Sequence, residues 1–341
     1  MPSSSRSYVR TLVGFLLAGI FLYLAFRDVP LEELWVTLLQ VKVGWLGVFL
    51  LIAGVSHLVR AWRWKYLLSH LKANVSVHRL FSAVMIGYMM NNLLPRAGEI
   101  ARAYVVGKLE GISKSSALGT IVVERILDLV SFFFILCAVL FLYPSGLDAL
   151  FADVARFRPL FLGGSVLSIV FLVYLFLKSE SLIGVLKRLR GVLPHRIKDR
   201  YEHLLDAFAA GFRVVGTRRN VGMIILTSIG IWICYVLTFY VSFFAFETIA
   251  SSDVGLGGAV VLLTFSTAAF ILPAPGGFGT YHSFLTYALV QLYRVDAPTA
   301  LSYSVATHEM GFVLIVIVGV TYFLKDHLKI SEFRGDLKEP G

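Results

Sequence analysis

Charged residues make up only 15% of this 341-residue chain, and cysteine occurs just twice. A soluble globular protein has roughly a quarter of its residues charged, so this chain cannot coat a water-facing surface of ordinary size. The two cysteines, Cys137 and Cys234, both lie inside apolar runs. They provide neither a disulfide framework nor a metal-ligand spacing. There is no Walker A segment, and no polar stretch is long enough to fold as a nucleotide-binding domain. Acids are scarcer than bases, 21 against 31. The bases cluster between apolar runs, which argues against nucleic acid and for anionic lipid headgroups as the partner. No metal or cofactor is expected.

What fills the chain instead is apolar: 57% hydrophobic residues and a mean hydropathy of +0.79. Several segments reach or approach the ~20 apolar residues that cross a bilayer. The first, Tyr8 to Phe26, is too long for a signal-peptide core and runs into Arg27-Asp28 without small cleavage-site residues, so it reads as a retained helix. The expected architecture is a single all-α integral membrane domain over 1–341. Six full transmembrane helices are expected at 8–26, 43–60, 117–142, 159–177, 221–246 and 298–324. Two stretches between them, 79–109 and 256–293, are interrupted by proline and glycine and read as re-entrant broken helical hairpins. Charge does not distinguish a re-entrant second stretch from two complete helices.

Basic residues orient this scheme. Residues 60–79 carry Arg60, Arg63, Lys65, Lys72 and Arg79 and no acid, and residues 178–220 carry ten bases against four acids. Placed in the cytoplasm with both termini, these segments obey the positive-inside rule and offer anionic membrane surface two contact regions. Within the linker, Ile197, Tyr201, Leu204, Leu205, Phe208 and Phe212 recur at helical spacing opposite charged residues, the pattern of an interfacial amphipathic helix. The flanks of the two breaks echo each other: Leu94-Pro95-Arg96-Ala97-Gly98 against Leu272-Pro273-Ala274-Pro275-Gly276, then Glu124-Arg125 against His308-Glu309. In this topology the echo reads as an inverted-topology repeat.

Charge at membrane depth is costly, about 2.5–3.5 kcal/mol for an Arg, Lys or Asp at a helix centre on insertion scales, so such residues should face protein or a polar cavity. Arg96, Glu99 and Arg102 lie in the first broken stretch; Glu124, Arg125 and Asp128 lie in the span after it. Arginine matches phosphate geometry, and half-helix ends present free N–H groups, so Arg96, Gly98 and Arg102 suit a headgroup phosphate. Asn91 and Asn92 add amides, and Glu99 can orient an arginine or meet a cationic headgroup. At the second break Gly276, Gly277 and Gly279 permit close backbone approach, followed by Thr280, Tyr281 and His282. His308 and Glu309 mark the last span. A structural ion-paired core is the competing reading for any one of these charges.

The run Asn91-Asn92-Leu93-Leu94-Pro95-Arg96-Ala97-Gly98-Glu99-Ile100-Ala101-Arg102 resembles the Asn…Pro-x-x-x-Gly-Glu-x-x-Arg segment of the lysylphosphatidylglycerol synthase transmembrane-region family, the flippase-like domain. Glu124 to Asp128 resembles its second segment, and Pro275 to Tyr281 its third; where the family often has glutamate after that tyrosine, this chain has His282. The resemblance spans about residues 8–325. It implies a multi-pass plasma-membrane protein that moves a lipid between leaflets: an anionic phospholipid, an aminoacylated lipid or a polyprenyl-linked glycan. In bifunctional members a soluble aminoacyl-transfer domain follows; here the chain ends soon after residue 325, so any lipid modification is expected from a separate enzyme. The alternatives are a non-transporting scaffold of an envelope-lipid pathway and, less favoured, a membrane transferase.

Overall fold

The computed structural model describes residues 3–93, 97–142, 154–177 and 218–329, with isolated positions 184, 188, 205, 206 and 209. The helix expected around Arg196 to Phe212, the residues Leu94, Pro95 and Arg96, and the tail beyond residue 329 fall outside the described residues, isolated positions apart.

The described chain is helical throughout. The first half contains α1 (Ser3–Phe26), α2 (Leu31–Leu39), α3 (Val43–Leu68), α4 (Val77–Leu93), α5 (Ala97–Glu110) and α6 (Lys114–Leu142). The second half contains α7 (Val154–Leu177), α8 (Arg218–Phe243), the single turn α9 (Glu247–Ala250), α10 (Gly255–Ile271), α11 (Thr280–Tyr293) and α12 (Ala297–Lys325). A 3-10 turn at Pro275–Gly277 joins α10 to α11. Helix α12 starts where Asp296 Oδ1 accepts the Thr299 N–H at 2.9 Å, a side-chain cap for an orphan donor.

The architecture corrects the expected one. Among the described residues three helices are long and apolar enough to cross a membrane: Val43–Leu68, Arg219–Phe243 and Ala297–Lys325. A fourth span is available if Leu12–Phe26 and Leu31–Leu39, bent by 84° at a short break, count as one. Six full spans are therefore not found among the described residues, and the bent pair lies at the N-terminus, not at 79–109 or 256–293. The reasons are length and charge. Helix α6 carries Glu124, Arg125 and Asp128 within what was read as the span 117–142. Among the described residues the apolar helical stretch within 159–177 is Pro159–Phe171. Helices α4 and α5 have 17 and 14 residues, about 26 and 21 Å at 1.5 Å per residue, and α5 bears Glu99, Arg102, Lys108 and Glu110. The two re-entrant hairpins are thus withdrawn, and the inverted-topology repeat that was built on their orientation loses its basis.

Helix lengths do recur. The series α4, α5, α6 has 17, 14 and 29 residues, and α10, α11, α12 has the same three values. Each series anchors its own apolar core. In the first, Trp64 and Leu67 of α3 pack with Leu80, Val84 and Ile86 of α4, Val105 of α5 and Ile121 of α6. In the second, Phe243, Ile249, Leu262, Leu285, Leu289 and Tyr303 close together. Outward faces are apolar as well: Leu51, Val55 and Leu58 on α3, Ile225, Ile229 and Ile233 on α8, and Val313, Ile317, Val320 and Leu324 on α12 are all exposed. Stripes of bare aliphatic side chains at helical spacing are what lipid tails solvate, and they make this a multi-pass membrane protein.

Candidate functional site

Arginine and carboxylate side chains from three helices meet inside the first half. Glu124, on α6, is fully buried and lies at the centre. Arg102 of α5 grips it with two parallel bonds, Nη1 donating to Oε1 at 3.0 Å and Nη2 to Oε2 at 2.8 Å. Arg60 of α3 donates from Nη1 to Glu124 Oε1 at 2.6 Å and to Asp128 Oδ2 at 2.9 Å. Arg63, one turn along α3 and fully buried, donates from Nη2 to Asp128 Oδ1 at 2.7 Å. Arg125 completes the group, its Nη2 3.4 Å from Glu124 Oε1 and its Nη1 3.8 Å from Asp128 Oδ2. Helix α8 contributes neutral acceptors: Tyr235 Oη takes Arg60 Nη2 at 2.7 Å, and Ser228 Oγ takes Arg63 Nη1 at 3.2 Å.

The neighbours explain how so much charge is held. The Arg102 guanidinium lies 4.3 Å from the centre of the Trp64 ring, a cation–π contact, and Trp64 Nε1 donates to Thr120 Oγ1 at 2.9 Å. A Cβ at Gly87 would collide with Arg102 Cγ, so the missing side chain on α4 is what lets Arg102 through. A Cβ at Gly98 would meet the Gly87 carbonyl and the Asn91 amide. Asn91 Oδ1 instead accepts the Gly98 N–H at 2.7 Å and caps α5 from α4.

The count of charges is uneven. Four guanidinium groups face two carboxylates, an excess of two positive charges. All four Nε–H donors, of Arg60, Arg63, Arg102 and Arg125, are buried with no hydrogen-bond partner. Buried donors are nearly always satisfied, so four unpaired ones in one cluster are unusual. Arg125 and Asp128 are the less buried members of the cluster, with side chains 40% and 16% exposed. Nearby on the first break, Asn92 Nδ2 and Glu99 Oε2 are also buried without a partner.

The sequence named Arg102, Glu124, Arg125 and Asp128, and the structure joins them. It missed Arg60 and Arg63, which were counted as loop bases facing lipid headgroups. Helix α3 runs on to Leu68 and buries both, so they take no part in any surface contact by residues 60–79. Their i,i+3 spacing beside Trp64 was the available signal. Arg96 lies outside the described residues.

The second group gathers at the break between α10 and α11. His308 Nε2 lies 2.9 Å from the Gly276 carbonyl oxygen, and His308 Nδ1 lies 3.0 Å from Glu309 Oε1. His282 Nδ1 accepts the Gly279 N–H at 3.3 Å, and its Nε2 points to the same Glu309 oxygen at 3.7 Å. Thr280 Oγ1 donates to the Gly277 carbonyl at 3.1 Å, and the Tyr281 hydroxyl meets Thr307 at 3.1 Å. Gly276, Gly277 and Gly279 all have positive φ, and a Cβ at Gly279 would strike Ala18 and Leu22 of α1. This break therefore packs directly on α1. No hydrogen bond or ion pair among the described residues joins the two groups, but the Asn92 carbonyl lies 3.5 Å from where a Cβ of Gly276 would stand.

Comparison with known proteins now decides the family. The pattern of the lysylphosphatidylglycerol synthase TM region matches residues 11–319, most of the chain. The chain belongs to that family. With it come flippase-like membrane domains as the functional frame. Similar curated proteins include a UPF0104 membrane protein of Methanothermobacter thermautotrophicus, 29% identical over 278 residues, covering 76% of this chain and 78% of that protein. A UPF0104 membrane protein of Methanocaldococcus jannaschii is 25% identical, covering 84% and 86% respectively. Glycosyltransferase AglD of Haloferax volcanii is 25% identical over 81% of this chain, which spans only 48% of that protein. No solved structure matches the chain.

Proposed function

We propose that this protein moves a lipid with an anionic, phosphate-bearing headgroup between leaflets, with the arginine cluster as the phosphate's electrostatic seat. The observation that carries this reading is four guanidinium groups, three of them buried, against two carboxylates, with every Nε–H buried and unpaired. A fully matched ion-pair core would need no such excess, and a buried matched pair contributes little net stability in any case. A phosphate brings the missing charge and several acceptor oxygens, while acyl or prenyl tails stay against the bare aliphatic faces of the helices. Arg125 meets the headgroup first because it is the exposed member; Arg60, Arg63 and Arg102 then share the charge. Anionic phospholipid, aminoacylated lipid and lipid-linked glycan all fit this chemistry. The name of the glycosyltransferase relative supports keeping a glycolipid among them. The basic residues Arg6 and Arg10, before and at the start of the first apolar run, support a cytoplasmic N-terminus.

Leaflet exchange in proteoliposomes tests the proposal, using fluorescent anionic phospholipid, a zwitterionic lipid and a phosphate-linked glycolipid in parallel. Arg125→Ala should slow exchange of the anionic probes by about tenfold or more, the worth of one charged hydrogen bond. The zwitterionic probe, which also bears phosphate but no net charge, should be slower from the start. Equal rates in wild type and Arg125→Ala would remove the phosphate role. Wild-type protein that speeds no probe above empty vesicles would favour the scaffold reading.

A further inference from the structure

The group at the second break is not needed to hold phosphate, and its hydrogen bonds impose a constraint of their own. The Gly276 carbonyl can only accept, so at 2.9 Å His308 Nε2 must carry a proton. A neutral imidazole has one N–H, which leaves Nδ1 as a lone pair. That lone pair lies 3.0 Å from Glu309 Oε1, and a carboxylate oxygen is also an acceptor. Two acceptors at this distance repel. The contact holds only if one more proton sits between them, either as imidazolium with carboxylate or as neutral histidine with carboxylic acid.

His282 is oriented by the same break. The Gly279 N–H donates to Nδ1, so Nε2 carries the proton and faces Glu309 Oε1. His282, His308 and Glu309 also place one ligand atom each within 4.8 Å of one another, the spacing of a possible cation site. A metal would need the lone pair on His282 Nε2, where the Gly279 bond has put a proton. The arrangement therefore favours a proton over a divalent cation.

We propose that His308 and Glu309 form a proton-binding site, oriented by His282, whose occupancy sets the position of the break between α10 and α11. Glu309 is the entry, its side chain 40% exposed, whereas both histidines are buried. When the proton leaves, Nδ1 and the carboxylate repel, and the strain falls on the Gly276 carbonyl that holds the other side of His308. That carbonyl belongs to the positive-φ turn packed on α1 and beside Asn92 of α4, so the proton acts on the contact between the two halves of the chain. The titratable groups facing the pair are His282 and Tyr281 on α11; α1 presents Phe26, the turn region Phe278, and α12 Phe312. Among the described residues no Lys, Arg or Asp pairs with any of them. Coupling of this proton to lipid movement rests on the transport reading above; the proton site itself does not.

The test is proton uptake by the purified full-length protein in detergent, read together with the infrared carboxylic C=O band, over a pH range wide enough to cover free carboxylates and imidazoles. Wild type should take up one proton more than Glu309→Gln, whose amide N–H can donate to His308 Nδ1 and keep the geometry. Superimposable uptake curves overturn the proposal, as does a titration step abolished by EDTA or shifted by added zinc. Should Glu309→Gln not fold, nitrogen NMR of the histidine side chains in wild type decides: one histidine should keep Nε2 protonated throughout while its Nδ1 gains or loses either a proton or an accepted hydrogen bond with pH. No histidine behaving so overturns the site. Proton uptake without any lipid exchange by wild type would defeat the transport reading and leave the proton site standing.

Discussion

Two stretches of this protein have helices of the same three lengths and opposite chemistry. In α4, α5 and α6 the break is followed by arginines and carboxylates, strong charges fixed in several multidentate pairs. In α10, α11 and α12 it is followed by histidines and one carboxylate, held by backbone groups of the turn itself. The difference teaches how two breaks in helical chain can be used. Guanidinium groups keep their charge and so provide a standing field for an anion. Imidazole beside a carboxylate can gain or lose a proton and so provides a response. The glycines differ in the same sense: Gly87 and Gly98 make room between helices in ordinary helical backbone, while Gly276, Gly277 and Gly279 bend the chain through conformations that other residues resist.

The contrast can be broken most forcefully at Glu124. Glu124→Gln leaves Arg102 without its carboxylate and Arg60 with Asp128 alone, and we expect a loss of about 3–5 kcal/mol in detergent unfolding, the cost of breaking a buried pair. A loss as small as that of Glu309→Gln would mean the two clusters are energetically alike and the comparison fails. Next comes Gly279→Ala. With φ at +77° and α1 backbone where the methyl would go, it should cost about 1–3 kcal/mol and loosen α1, measured by thermal unfolding and by protease sensitivity of the N-terminal helix. An unchanged midpoint would remove the claim that this break is clamped by α1. The smallest effect is expected at Asn91→Ala, which loses one cap bond to the Gly98 N–H and about 1 kcal/mol. Hydrogen exchange should rise at the first turn of α5 and not in α11.

Much of the candidate site was legible one helix at a time. Glu124 and Asp128 are four apart on α6 and share a face, so their joint role followed from spacing alone. Arg102 was marked by its place after the first break. Arg60 and Arg63 escaped because a basic segment at the end of an apolar run looks the same whether it ends in water or continues as a helix into the core. The expected spans erred for a related reason. Hydropathy does not say whether a charged stretch such as 117–142 faces lipid or protein, and the bend between Phe26 and Leu31 has no proline-glycine cluster to announce it, only Pro30.

Composition by itself settled that this chain belongs in a membrane, because 57% hydrophobic residues leave no other solvent for its surface. Ordered motifs determined its family, and local spacing determined which charges share a helix face. Which helices face each other was decided only by tertiary structure. Arg60 meets Glu124 across 64 residues of sequence, and His308 meets Gly276 across 32. Such contacts are chosen by packing of whole helices, through small residues such as Gly87 that admit a neighbour's side chain. The protonation that His308 and Glu309 require follows from two distances at one imidazole ring, and no one-dimensional pattern contains them.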